Sequence, residues 1–152
     1  MPSYHRSIRK RQKTSPKFYL FDLGIKRALE NALTIPLQPA TYVYGNAFEH
    51  FIVCEAFRLN EYFRKDFSFS YLRSTESSEI DLIIDRPGKP TLLIEIKSKK
   101  QIYDEDVSVL KRFQTDWKGA CEAQLWCTCD EMFKIHQVHV LPWKDALAKL
   151  FS

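Results

Sequence analysis

Two neighbouring stretches carry the side chains best suited to do chemistry: Ser78 to Asp85, which contains Glu79, Asp81 and Asp85, and Leu92 to Lys97, which contains Glu95 and Lys97. Both place acidic residues among β-branched and aliphatic ones, as strands do, and Arg86-Pro87-Gly88-Lys89-Pro90 between them is a turn sequence. Strands joined so tightly pair antiparallel, which sets Asp81 beside Glu95. The period of two sends Glu95 and Lys97 to one face and Ile94 and Ile96 to the other. An Asp, a Glu and a Lys converging there suit a divalent metal with water beside it, because Mg²⁺ takes carboxylate oxygens and keeps several waters. Two carboxylates in close approach repel one another, and a cation relieves that repulsion. Lys97 could orient the water, take its proton if its own pKa is depressed, or stabilise charge developing on a phosphoryl group. Phosphodiester hydrolysis is the reaction this set suits best.

Asp81, thirteen intervening residues and then Glu95-x-Lys97 resembles the PD-(D/E)XK nuclease signature, with Ile80 where a proline is usual. Upstream, Tyr44 to Ile52 resembles the helix that precedes the sheet in those folds, and Glu49 stands where a glutamate often adds a metal contact. Phe18 to Gly24 and Val140 to Trp143 look like features of the nuclease-like domain at the C-terminus of a group of prokaryotic AAA+ ATPases. The resemblance covers residues 18 to 152. It implies an α/β, restriction-endonuclease-like fold, a mixed β-sheet flanked by helices. It also implies Mg²⁺ or Mn²⁺ held by Asp81, Glu95 and Glu49, Lys97 as a catalytic residue, DNA as substrate, and an ATPase partner. No G-x-x-x-x-G-K-[ST] phosphate loop is present: the glycines are Gly24, Gly45, Gly88 and Gly119. The chain is then a stand-alone version, a remnant of a larger reading frame, or a subunit whose motor is on another chain. The competing expectation is a catalytically inactive module that binds DNA or docks onto an ATPase. A homodimer would suit paired cuts on a duplex.

A chain of 152 residues with 45% hydrophobic content can bury one ordinary core, so residues 18–152 are expected to form a single domain. The net charge of +4 has a local origin. Residues 1–17 hold Arg6, Arg9, Lys10, Arg11, Lys13 and Lys17 and no acid, leaving 17 basic against 19 acidic residues in the remainder. That stretch reads as a basic, solvated N-terminal arm able to contact phosphates. No apolar run reaches bilayer-spanning length, and no secretory apolar region opens the chain; the expected location is cytoplasmic.

The elements follow from pattern. Helices are expected at 22–33, with Asp22 as N-cap, at 42–63, at 104–117, and from Pro142 to the C-terminus. Strands are expected at 67–73, at the two stretches above, at 121–127 and at 133–141, giving the order α-α-β-β-β-α-β-β-α.

Each chemical residue also has a plainer reading. Glu49 could be a helix acid paired with a Lys or Arg, and Glu55 a partner of Arg58. Glu95 and Lys97 could form an ordinary i, i+2 ion pair. Glu79 and Asp85 share the period of Asp81, and Lys99 that of Glu95; Lys99 reads foremost as a solvated strand-end lysine. Cys127, Cys129, His136 and His139 offer a rival zinc set, although C-x-C on a strand is a poor chelate. Cys54 and Cys121 read as small core residues. His5 and His50 have no evident partner, and no serine- or cysteine-hydrolase motif is present.

Overall fold

The computed structural model describes residues 1–4, 15–73 and 78–152. His5 and the basic residues Arg6, Arg9, Lys10, Arg11 and Lys13 lie outside the described residues. Helix α1 (Leu23–Leu29) begins at Asp22, whose carboxylate accepts the Ile25 N–H at 3.0 Å. It stops four residues before the expected Leu33. It buries none of its residues, so no tertiary packing extends it, and Asn31 turns the chain through the left-handed region. Helix α2 (Tyr42–Phe63) runs the full expected length. Thr41 Oγ1 accepts the Tyr44 N–H at 3.2 Å at its start, and left-handed Arg64 ends it. The face carrying Ile52, Val53 and Ala56 is wholly buried.

Six strands form one mixed sheet: β1 (Ser68–Arg73), β2 (Glu79–Asp85), β3 (Thr91–Lys97), β4 (Cys121–Cys127), β5 (Phe133–Ile135) and β6 (Val138–Pro142), in the spatial order β1-β2-β3-β4-β6-β5. β1, β2 and β3 pair antiparallel, and β3, β4 and β6 are parallel. The β2–β3 turn uses Gly88 at φ 71°, and the Arg86 guanidinium closes it on the Pro90 carbonyl at 2.6 and 3.0 Å. Helix α3 (Asp104–Asp116) crosses from β3 to β4, with three acids in its first turn. Helix α4 (Trp143–Phe151) follows directly on β6, with Pro142 as its N-cap.

The two faces of the sheet are covered by different helices. Leu82, Ile84, Leu92, Ile94, Ile96 and Trp126 pack with α2 and α4 on one side. Ile80, Ile83, Leu93, Leu125 and Val140 pack with Val107 and Leu110 of α3 on the other. Leu92 to Ile96 is therefore a continuous buried run, as a central strand covered on both faces requires. This is an α/β architecture, a mixed sheet between helices.

One expected strand divides. Residues 133–141 form a hairpin, β5 and β6, that reverses at 136–137, where His136 adopts φ 54°. A histidine in the left-handed region leaves no Gly or Pro to announce the turn.

Candidate active site

A local irregularity builds the site. Ser70 pairs with Ile83 and Leu72 with Ile80, so Tyr71 alone stands opposite both Asp81 and Leu82. This bulge puts Ile80 and Ile83 into the same cluster and breaks the alternation that had grouped Glu79, Asp81 and Asp85. The β2–β3 pairing runs from Ile84–Leu92 to Leu82–Ile94. Beyond it the Asp81 side chain replaces the ladder: its Oδ2 accepts the Ile96 N–H at 2.8 Å. Asp81 is thus fixed at the point where the two strands part, next to the β3 segment that carries Glu95 and Lys97.

Glu95 and Lys97 share a face, with Nζ 2.6 Å from Oε1. Glu95 is 7% exposed, and its Oε2 is buried with no hydrogen-bond partner among the described residues. Such an oxygen is costly unless something positive meets it. Burial raises the pKa of Asp81 well above the usual carboxylate range; Glu95 and Glu49 add to this, while the Ile96 N–H and Lys97 oppose it. Burial likewise raises Glu95 against the opposing effect of Lys97. Burial alone would lower Lys97, but the charge and hydrogen bond of Glu95, with Asp81 and Asp106 behind it, leave its pKa raised. Those contacts favour the ammonium form of Lys97, which suits charge stabilisation.

Glu49 faces the same region from α2. Its Oε1 accepts from the Tyr19 hydroxyl at 2.9 Å and from Lys17 Nζ at 3.1 Å. Lys17 also pairs with Glu79, whose other oxygen takes Arg73 at 2.6 Å. Sequence reasoning missed Lys17 and Tyr19 as members of this cluster, because a run of basic residues looks like a solvated tail. The tail's described ends are docked: Ser3 bridges to Tyr71, Tyr4 packs on Trp117, and the Tyr71 hydroxyl reaches the Ser15 carbonyl.

Other candidates are engaged elsewhere. Asp85 accepts from Thr91 Oγ1 at 2.8 Å, Lys99 pairs with Asp106 at 2.7 Å, and Glu55 pairs with Arg58. His50 Nε2 lies 2.6 Å from the Leu20 carbonyl, which supplies the partner its sequence context did not reveal. The rival zinc set does not assemble: Cys127 Sγ lies against the Leu141 carbonyl and the Cys129 N–H, and His136 pairs with Asp104. Burial pushes the Cys127 thiol up to about 12. Iodoacetamide at pH 8 should therefore leave Cys127 unmodified in the native protein and label it once unfolded, as peptide mass spectrometry would report. Labelling of the native protein at the rate of an exposed thiol would contradict this burial.

Among the described residues, no three His, Cys, Asp or Glu side chains already meet in metal-ligating geometry. Glu49 is turned to Lys17 and Tyr19, and one oxygen of Glu95 to Lys97. The donor set nonetheless fits a hard divalent cation. It is all carboxylate, it includes the orphaned Glu95 Oε2, and its four carboxylates, Glu49, Glu79, Asp81 and Glu95, face three cations, Lys17, Arg73 and Lys97.

Fold and site together define an α/β domain with a half-buried acidic cluster at a strand divergence. The chain belongs to the family described as Domain of unknown function (DUF4143), which matches residues 44–146 and so takes in Glu49, Asp81, Glu95 and Lys97. Comparison with curated proteins and with solved structures finds no match.

Proposed function

We propose that this domain is a metal-dependent nuclease that hydrolyses phosphodiester bonds in DNA, with a restriction-endonuclease-like fold. The observation that carries the reading is the buried, unpartnered Glu95 Oε2 beside Asp81 and Lys97, where the β2–β3 pairing ends. Asp81 and Glu95 would hold Mg²⁺ or Mn²⁺, and Glu49 would complete the set. The ion supplies Lewis-acid charge for attack on a phosphodiester. Lys97, held cationic by Glu95, would donate to a non-bridging phosphate oxygen, stabilising charge as it develops. The Ile96 N–H fixes Asp81 in place, so the β3 backbone positions all three residues.

A second reading is favoured by a different surface. Phe18, Phe21, Ile25 and Leu29 are more than half exposed, and Phe18, Phe21, Phe57 and Tyr62 line a cavity of about 790 Å³. Such an apolar surface suits a module that docks onto another chain, an AAA+ ATPase among the candidates, with DNA binding in place of cleavage. No helix among the described residues is long and apolar enough to cross a membrane. The four free cysteines suit a reducing cytoplasm.

The deciding experiment is calorimetric titration of Mg²⁺ and Mn²⁺ into wild type, Asp81→Ala and Glu95→Ala, with and without duplex DNA. Saturable binding lost in both variants, followed by cleavage of duplex or branched DNA, is the expected result. A folded protein that recruits neither ion even with DNA present would leave the docking module.

A further inference from the structure

Lys17 reaches the carboxylates from outside the β2–β3 hairpin. It comes from the N-terminal segment, 32 positions from Glu49 and 62 from Glu79, and pairs with both. Its side chain is 20% exposed and lies 5.4 Å from the Tyr71 ring centre. Tyr71 is the residue opposite the Asp81–Leu82 bulge. The same residue anchors the segment: its N–H donates to the Pro2 carbonyl at 3.1 Å, and its carbonyl accepts from Tyr4 N–H at 2.6 Å. The Lys17 N–H donates to the Met1 carbonyl at 2.9 Å, and the Met1 ammonium returns a bond to the Lys17 carbonyl at 2.6 Å. Lys17 is thereby tied at one end to the β1 edge and at the other to the acidic cluster.

Glu49 Oε1 accepts two donors, the Lys17 ammonium and the Tyr19 hydroxyl, which occupy both of its lone pairs. A cation taken by this carboxylate, through either oxygen, comes close to the Lys17 charge. A divalent ion repels the ammonium and not the hydroxyl, so Lys17 is the one displaced. We propose that Lys17 is a built-in counter-ion of the cluster, exchanged for a divalent cation at Glu49, so that cation binding and docking of the N-terminal segment oppose each other. The proposal rests on the carboxylate cluster being a cation site. By linkage the coupling is reciprocal: whatever holds the segment down weakens the ion, and the ion loosens the segment. Lys17 is a positioning residue here, acting through Glu49 and Glu79.

The test compares Mg²⁺ titrations of wild type, Lys17→Met and Lys17→Arg, with folding checked by circular dichroism. Removing the charge while keeping the length should tighten binding about tenfold, within the usual range of such couplings. The arginine variant keeps a cation in place and should stay near wild type. A merely structural role for Lys17 would weaken binding in the methionine variant. Independently, in wild type, saturating Mg²⁺ should speed hydrogen exchange at the Lys17 and Tyr71 amides, and this decides the matter even if Lys17→Met does not fold. Equal affinity in wild type and Lys17→Met, with unchanged exchange, would overturn the exchange mechanism and leave the cation site standing. Absence of binding in all three proteins would overturn the cation site, and the exchange with it.

Discussion

Replacing Lys97 with Met is expected to slow DNA cleavage by about 10²–10³-fold, the usual consequence of deleting one group that stabilises developing charge. Mg²⁺ affinity should hold or tighten, because the ammonium that contacts Glu95 Oε1 at 2.6 Å competes for that oxygen. Asp81→Ala should instead lose ion and activity together. Single-turnover cleavage alongside calorimetry separates the two patterns. Wild-type cleavage by Lys97→Met would reduce Lys97 to an ordinary ion-pair partner of Glu95. Lys97→Arg is a poor rescue, since a planar fork differs in reach and direction from a compact ammonium.

The second large effect is a reversal of sign at Asp81. Folding makes this carboxylate harder to ionise, chiefly through burial and then through Glu95 and Glu49. The folded state therefore binds the Asp81 proton more tightly than the unfolded state does. Its contribution to stability is greatest below the unfolded pKa near 3.8 and declines as pH rises toward the raised folded value. Asp81→Asn keeps an oxygen for the Ile96 N–H and removes the charge. It should be more stable than wild type in the absence of metal, by a margin that widens as pH rises from the acid range. Asp81→Ala also strands the N–H of a residue that is 6% exposed, which costs about 1–3 kcal/mol relative to Asn. Urea denaturation of the three proteins at several pH values, with chelator present, measures this. A destabilised Asn variant would show that the charge at Asp81 supports the apo fold.

Much of the framework was legible because it repeats. The apolar spacing of α2 marks a helix near Tyr42–Phe63, and the aliphatic runs on either side of Pro87-Gly88 mark the β2–β3 pair. The missed features are those without a period. The reversal at His136 uses a residue that seldom adopts positive φ, so two strands look like one. The bulge opposite Tyr71 lies where the Asp81 side chain accepts a backbone N–H of β3, and no pattern within β2 encodes either. Lys17 meets Glu49 and Glu79 only once the sheet exists, so its charge looks like part of a tail. Among the site residues, Asp81, Glu95 and Lys97 are close in sequence and read together. Glu49 needed α2 laid across the sheet before its partners could be named.

The rims of the sheet decide how this domain can meet other chains. One outer strand, β5, has three residues and a lysine at its centre. The other, β1, has its middle residue, Tyr71, hydrogen-bonded to Pro2 and Tyr4. Among the described residues neither rim offers a long row of free amides on which a foreign strand could grow. Growth by strand addition, the common route to fibres, is blunted at both ends, while the apolar side chains of Phe18, Phe21 and Leu29 face solvent on another surface.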